Sequence, residues 1–154
     1  MFRSIAAIIF VLITQTGCAE EPRPADTQRM FDAVFHNDTG YAKRWLAAGG
    51  NPNAKNEQGE SLLYVATGPK GGNEVLSVLL IAGADPNIGQ GGYTPLMNAA
   101  SWVNLAGVEL LLKSGADSKR KNEKGESALE TTGRAAGKEK LVLERLRESQ
   151  SALR

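Results

Sequence analysis

Cysteine and histidine are nearly missing from this chain: Cys18 and His36 are the only ones in 154 residues. A structural zinc site takes four Cys/His ligands and a disulfide takes two cysteines, so a single copy of the chain builds neither. Nucleophilic catalysis by a Ser/His/Asp or Cys/His set lacks its parts as well. An excess of one charge is also missing, with 18 Lys+Arg against 17 Asp+Glu and a formal net charge of +1. Without a general basic field, nucleic acid is not the expected partner. There is no phosphate-cradling loop either, because Gly68 to Gly72 follows no strand and Lys70 has no Ser or Thr after it. No catalytic residue, no metal and no cofactor is therefore expected. What remains, 42% hydrophobic and 23% charged over 16.4 kDa, suits one globular domain.

The one long apolar run, Ile5 to Ile13, follows Arg3 and leads to Thr16-Gly17-Cys18. Nine residues are too few to cross about 30 Å of hydrocarbon, so the segment reads as an export signal. Thr16-Gly17-Cys18 resembles the bacterial lipoprotein signal, with Gln15 standing where that pattern favours Leu or another aliphatic residue. The resemblance implies that residues 1–17 are removed and that Cys18 carries a lipid. With Ala19 rather than Asp next, it also implies the periplasmic face of the outer membrane. A plain secretory signal that leaves a free cysteine is the alternative. Residues 18–25, with Pro22 and Pro24, read as a tether, so membrane contact is expected through the lipid only.

From Asp26 onward the chain repeats itself. Gly59, Gly92 and Gly125 are 33 residues apart, with Ser61, Thr94 and Ser127 two residues later and Leu63, Leu96 and Leu129 four later. A second series, Gly49-Gly50-Asn51-Pro52-Asn53, Gly83-Ala84-Asp85-Pro86-Asn87 and Gly115-Ala116-Asp117-Ser118-Lys119, keeps nearly the same step. The offset between the two series places a one-residue insertion near Gly68 to Gly71.

This period, with Thr94-Pro95-Leu96-Met97-Asn98-Ala99-Ala100, resembles the ankyrin repeat, a β-turn followed by two antiparallel helices. The resemblance implies an all-α solenoid of four units, about 26–56, 57–88, 89–121 and 122–152, with short β-turn fingers. Thr94 is expected to cap a helix whose first turn holds Pro95. Tyr64, Met97 and Glu130 stand where the family often has His. The first unit is expected to hold helices from Gln28 to Asn37 and from Gly40 to Ala48. A last polar helix from about Lys138 to Gln150 should face Leu141, Val142 and Leu146 inward. Trp45 and the helix-2 runs Val75 to Leu80 and Val108 to Leu112 read as core.

An ankyrin stack works by binding a protein on its concave face, and the family's variable positions imply which residues touch the partner. These are Phe35 and His36 in the first unit and Glu57, Gln58, Glu60, Gly68 and Pro69 in the second. In the third they are Gln90, Gly91, Tyr93, Ser101 and Trp102, and in the fourth Glu123, Lys124, Glu126 and Arg134. Tyr93 and Trp102 are expected to form one exposed aromatic patch extended by Phe35. The finger carboxylates read as a solvated rim rather than as acid/base catalysts, and Asp85 and Asp117 do not read as metal ligands because the matching residue in the first unit is Asn51. Lys119-Arg120-Lys121 reads first as a solvated run; contact with an acidic surface or lipid head groups is the alternative. The expected protein is a monomeric periplasmic binding module, most concretely an immunity protein against a secreted toxic effector. The competing roles are an accessory to a periplasmic enzyme such as a catalase, and an envelope tether.

Overall fold

The computed structural model of the chain describes residues 23, 25–132 and 138–152. Cys18, the apolar run before it and Arg134 lie outside them. Among the described residues there are seven helices, paired along the chain. The first unit contributes α1 (Thr27–Phe35) and α2 (Thr39–Ala47), the second α3 (Leu62–Ala66) and α4 (Asn73–Ile81), and the third α5 (Pro95–Ser101) and α6 (Leu105–Lys113). The last unit ends in α7 (Lys138–Ser151). First helices stack in the order α1, α3, α5 and second helices in the order α2, α4, α6, α7, with a single core between the rows.

Helix starts are where capping chemistry places them. Ser61 and Thr94 sit in extended backbone, and their hydroxyls accept the N–H of Tyr64 and Met97. Asp38 and Asn104 do the same for Tyr41 and Gly107 at the second helices. Asp26 precedes α1 without capping it through its side chain, because Arg23 holds the carboxylate at 3.0 Å. That guanidinium also keeps the Asp26 carboxyl below the usual carboxylate range. Two of the residues that replace the frequent His close the reciprocal half of the cap. The Met97 sulfur accepts the N–H of Thr94, and the Glu130 carboxylate accepts the N–H of Ser127 at 2.6 Å.

Neighbouring units are tied together by asparagines. Within each turn, Asn51, Asp85 or Asp117 accepts the N–H two residues on, and the Asn53 and Asn87 amides then reach to the next unit. Their oxygens accept the N–H of Asp85 at 2.7 Å and of Asp117 at 2.8 Å. The next residue in the series is Lys119, whose side chain has no amide oxygen to continue the ladder. The carboxylates of Asp85 and Asp117 are thus engaged within their own turns, while their backbone N–H groups carry the stacking. Among the described residues no group of three or more His, Cys, Asp or Glu side chains is placed to hold a metal ion.

Two elements differ from the sequence-based expectation. Val142 and Leu146 are fully buried, but Leu141 is 51% exposed. Helix α7 packs mainly on α6, so only a narrow i, i+4 stripe is covered and the residue one step before it is rotated off. The fourth unit also has a turn at 128–131 where the other units have a helix. There the hydroxyls of Thr131 and Thr132 donate back to the carbonyl of Ala128, a local alternative to the helical ladder.

Candidate functional site

The fingers come first. Asn56 and Asn122 organise those of the second and fourth units: each amide oxygen accepts two backbone N–H groups, and each amide nitrogen donates to Glu60 or Glu126. In the third unit Gly89 stands at that position, and the finger becomes a two-residue hairpin. Gln90 and Tyr93 exchange both backbone hydrogen bonds across Gly91 and Gly92, which have φ of 52° and 76°. Two successive positive φ angles make a type I′ turn, a conformation open mainly to Gly and Asn. The Gln90 side chain then donates to the carbonyl of Gln58 at 2.9 Å, joining the second and third fingers.

Behind the fingers, the ends of the first helices enclose a cleft of about 420 Å³. Its floor is Tyr64 and Val65 at the end of α3, its walls are Phe35 from the first unit and Trp102 from the third, and Glu60 and Asn98 supply polar groups. The cleft exists because α3 is only five residues long. After its cap Thr67, the loop Gly68-Pro69-Lys70-Gly71 carries the inserted residue, and Gly68 lines the cleft without adding a side chain to it. A residue before proline also disfavours helical backbone, which keeps α3 from extending. Asn98, almost fully buried, locks α5 to α3 by donating to the carbonyl of Tyr64 at 2.8 Å and to the Thr67 hydroxyl at 3.2 Å. Burial, followed by the nearby charge of Glu60 and by Tyr93, raises the pKa of the Tyr64 phenol, so it stays protonated.

Of the residues expected to touch a partner, Phe35, Glu60, Gly68, Pro69 and Trp102 meet at this cleft, with Phe35 43% and Trp102 55% exposed. Trp102 is the C-cap of α5 and not core. Glu57 and Gln58 are exposed on the second finger and Glu123 and Lys124 on the fourth, while Glu126 is half-buried against Asn122. His36 packs edge-to-face on Phe35, with ring centroids 5.4 Å apart, and its ring nitrogen lies 2.8 Å from the carbonyl of Asp32, in a separate depression beside Arg29 and Tyr41.

Tyr93 and Ser101 do not line the cleft. The Tyr93 ring is half-buried, packed on the core, and its hydroxyl lies 3.0 Å from Ser101 Oγ. Ser101 Oγ is in turn within donating distance of the carbonyls of Met97 and Thr131. Tyr93 leaves the hairpin at the start of α5 and runs along two turns of that helix to Ser101, so it does not line the cleft with Trp102. The aromatic neighbours of Trp102 there are Phe35 and Tyr64. Tyr64 is not among the expected contact residues; its signal in the sequence is that it stands where the family often has His. Val65, Gly71, Asn98 and Lys70 also line the cleft without having been expected there; Lys70 lies in the loop whose insertion was legible, and its ammonium sits 5.0 Å from the Phe35 ring centroid.

Residues 30–122 match the family model for ankyrin repeats, in three copies. The chain is also 38% identical over 114 residues to the Drosophila melanogaster protein "Ankyrin repeat and KH domain-containing protein mask". That alignment covers 68% of this chain and 3% of the relative, so the chain spans a small part of the relative's length. Among the described residues no helix is long and apolar enough to cross a membrane.

Proposed function

This chain belongs to the ankyrin-repeat family, and from that premise we propose that it captures a partner protein at the cleft between Phe35 and Trp102. Ankyrin repeats are generally modules of protein–protein interaction. The observation that carries the assignment to this face is the exposed Trp102, set beside Phe35 and over Tyr64 in a depression with few polar groups. Large aromatic rings left partly in water around a concavity are unfavourable for an isolated domain, whereas interface hot spots are enriched in Trp and Tyr seated in pockets. Trp102→Ala should therefore weaken partner binding by 2 kcal/mol or more, roughly thirtyfold, with helical content and melting temperature nearly unchanged. Affinity capture from envelope extracts with wild type and variant in parallel, followed by mass spectrometry, measures this. Equal recovery by a Phe35→Ala/Trp102→Ala double variant would move the site off this face.

The proposed place of action is the periplasm, with the protein held on the outer membrane by a lipid at Cys18. Support for this comes from the apolar run Ile5 to Ile13 followed by Thr16-Gly17-Cys18. Cys18→Ala should abolish incorporation of labelled fatty acid and leave the protein as a soluble or uncut form. Absence of label from the wild type would remove the anchor. A small exported binding module without a nucleophile and base set suits an immunity protein that occludes a toxic effector in the envelope. Survival of cells carrying or lacking the gene, when challenged by neighbours that secrete such effectors, tests that role.

A further inference from the structure

Helices α1, α2, α4, α5 and α6 share one ending: the residue after the C-cap turns into left-handed backbone, and the N–H that follows it reaches back five residues to a helical carbonyl. This is the Schellman arrangement, whose left-handed position favours Gly or Asn. The chain has Asn37, Gly49, Gly83 and Gly115 at four of these positions, but at the end of α5 it has Val103, with φ of 54°. For a β-branched residue that is an outlier, because left-handed backbone crowds the Cβ against the following carbonyl oxygen. Such strain persists only where the surroundings over-determine it, and here they do. The N–H of Val103 donates to the carbonyl of Ala100 at 3.0 Å and that of Asn104 to Ala99 at 2.9 Å. Asn98 on one side is bonded to Tyr64 and Thr67 of the second unit, and Asn104 on the other is bonded to Asn73 of the same unit while it caps α6. The Val103 side chain is half-buried and packs on the core. Between these fixed points stands Trp102, the most exposed ring of the cleft.

Resting on the reading of this cleft as the partner site, we infer that Val103 is a positioning residue, whose strained and packed turn holds the Trp102 indole in one orientation on the cleft wall before a partner arrives. Glycine at 103 would relax the backbone, but it would leave the turn free to sample other conformations and put no side chain against the core. Valine has a stiff χ1 and a packed side chain, so the backbone that carries Trp102 is fixed from the residue after it. An indole that is already ordered loses less conformational entropy when an interface closes over it, which is the gain from pre-organisation. The first unit supplies the contrast. Asn37 takes the same left-handed conformation with a residue that tolerates it, and His36, the residue before it, does not line the cleft.

Two measurements on the isolated protein test this. The first compares the melting temperatures of Val103→Ala and Val103→Gly. Glycine is ordinarily the less stable of the two, but at a left-handed position the order reverses, so Val103→Gly should melt about 2–6 °C above Val103→Ala. The second reads nitrogen relaxation at the two indole N–H groups, with the buried Trp45 as the internal reference. The Trp102 indole should have an order parameter above about 0.6 in the wild type and below it in Val103→Gly, and Val103→Ile, which keeps the β-branch, should retain the wild-type value. A lower melting temperature for Val103→Gly than for Val103→Ala, or a Trp102 order parameter equal in wild type and Val103→Gly, overturns the assignment. The partner-site reading stands or falls separately, on whether Trp102→Ala weakens partner capture.

Discussion

Truncating Leu96 to alanine should cost about 2–5 kcal/mol, which for a domain of this size lowers the melting temperature by about 4–20 °C. Leu96 is fully buried in the first turn of α5, the helix that packs on α3 and α6 at once. The helix around that point is held by Pro95, the Thr94 cap and the Asn98 bonds, so it has little freedom to collapse into a cavity. Cavities that cannot collapse lie toward the high end of the measured range. Since each unit of a solenoid leans only on its neighbours, the loss should weaken both interfaces of the third unit. Thermal melts followed by circular dichroism check this, and a shift below about 2 °C would refute the packing of α5 described here.

The second large effect concerns a pair of residues in the first unit. Trp45 is fully buried in α2 at the place that α4 and α6 give to Leu79 and Leu111. Five residues later, where the second and third units have Ala84 and Ala116, the first has Gly50. A Cβ on Gly50 would overlap the Trp45 indole ring, so the larger side chain is accommodated by the missing methyl. Gly50→Ala should overpack this site and cost about 1–3 kcal/mol. Trp45→Leu alone should leave a void and also destabilise. Combined, the two restore the Leu/Ala pairing of the inner units and remove an indole N–H that is buried without an acceptor among the described residues. The double variant should therefore be more stable than the sum of the single effects by about 0.5–3 kcal/mol. Denaturant titration of the four proteins gives the cycle, and simple additivity would mean that the two residues do not constrain each other.

The sequence by itself determined the architecture. The step of 33 residues between Gly59, Gly92 and Gly125 set the number of units. The Thr94 cap, the proline in the first turn of α5 and the asparagine-rich turns set where elements begin. Trp45 as core and the polar character of the last helix were legible too. These are signals between residues a few positions apart, and a solenoid is a sum of such local units joined to their nearest neighbours, so local chemistry suffices for the fold. The binding face was legible only in outline. That Trp102 meets Phe35 across Tyr64, that Tyr93 lies down along α5 to reach Ser101, that Gly50 makes room for Trp45 and that Leu141 misses the α6 contact were decided by tertiary structure. Each depends on which side chain from another turn, helix or unit fills or vacates a space, here on a short α3 and the loop after it. Those volumes and directions arise from packing between distant segments, and no periodicity or turn preference along the chain encodes them.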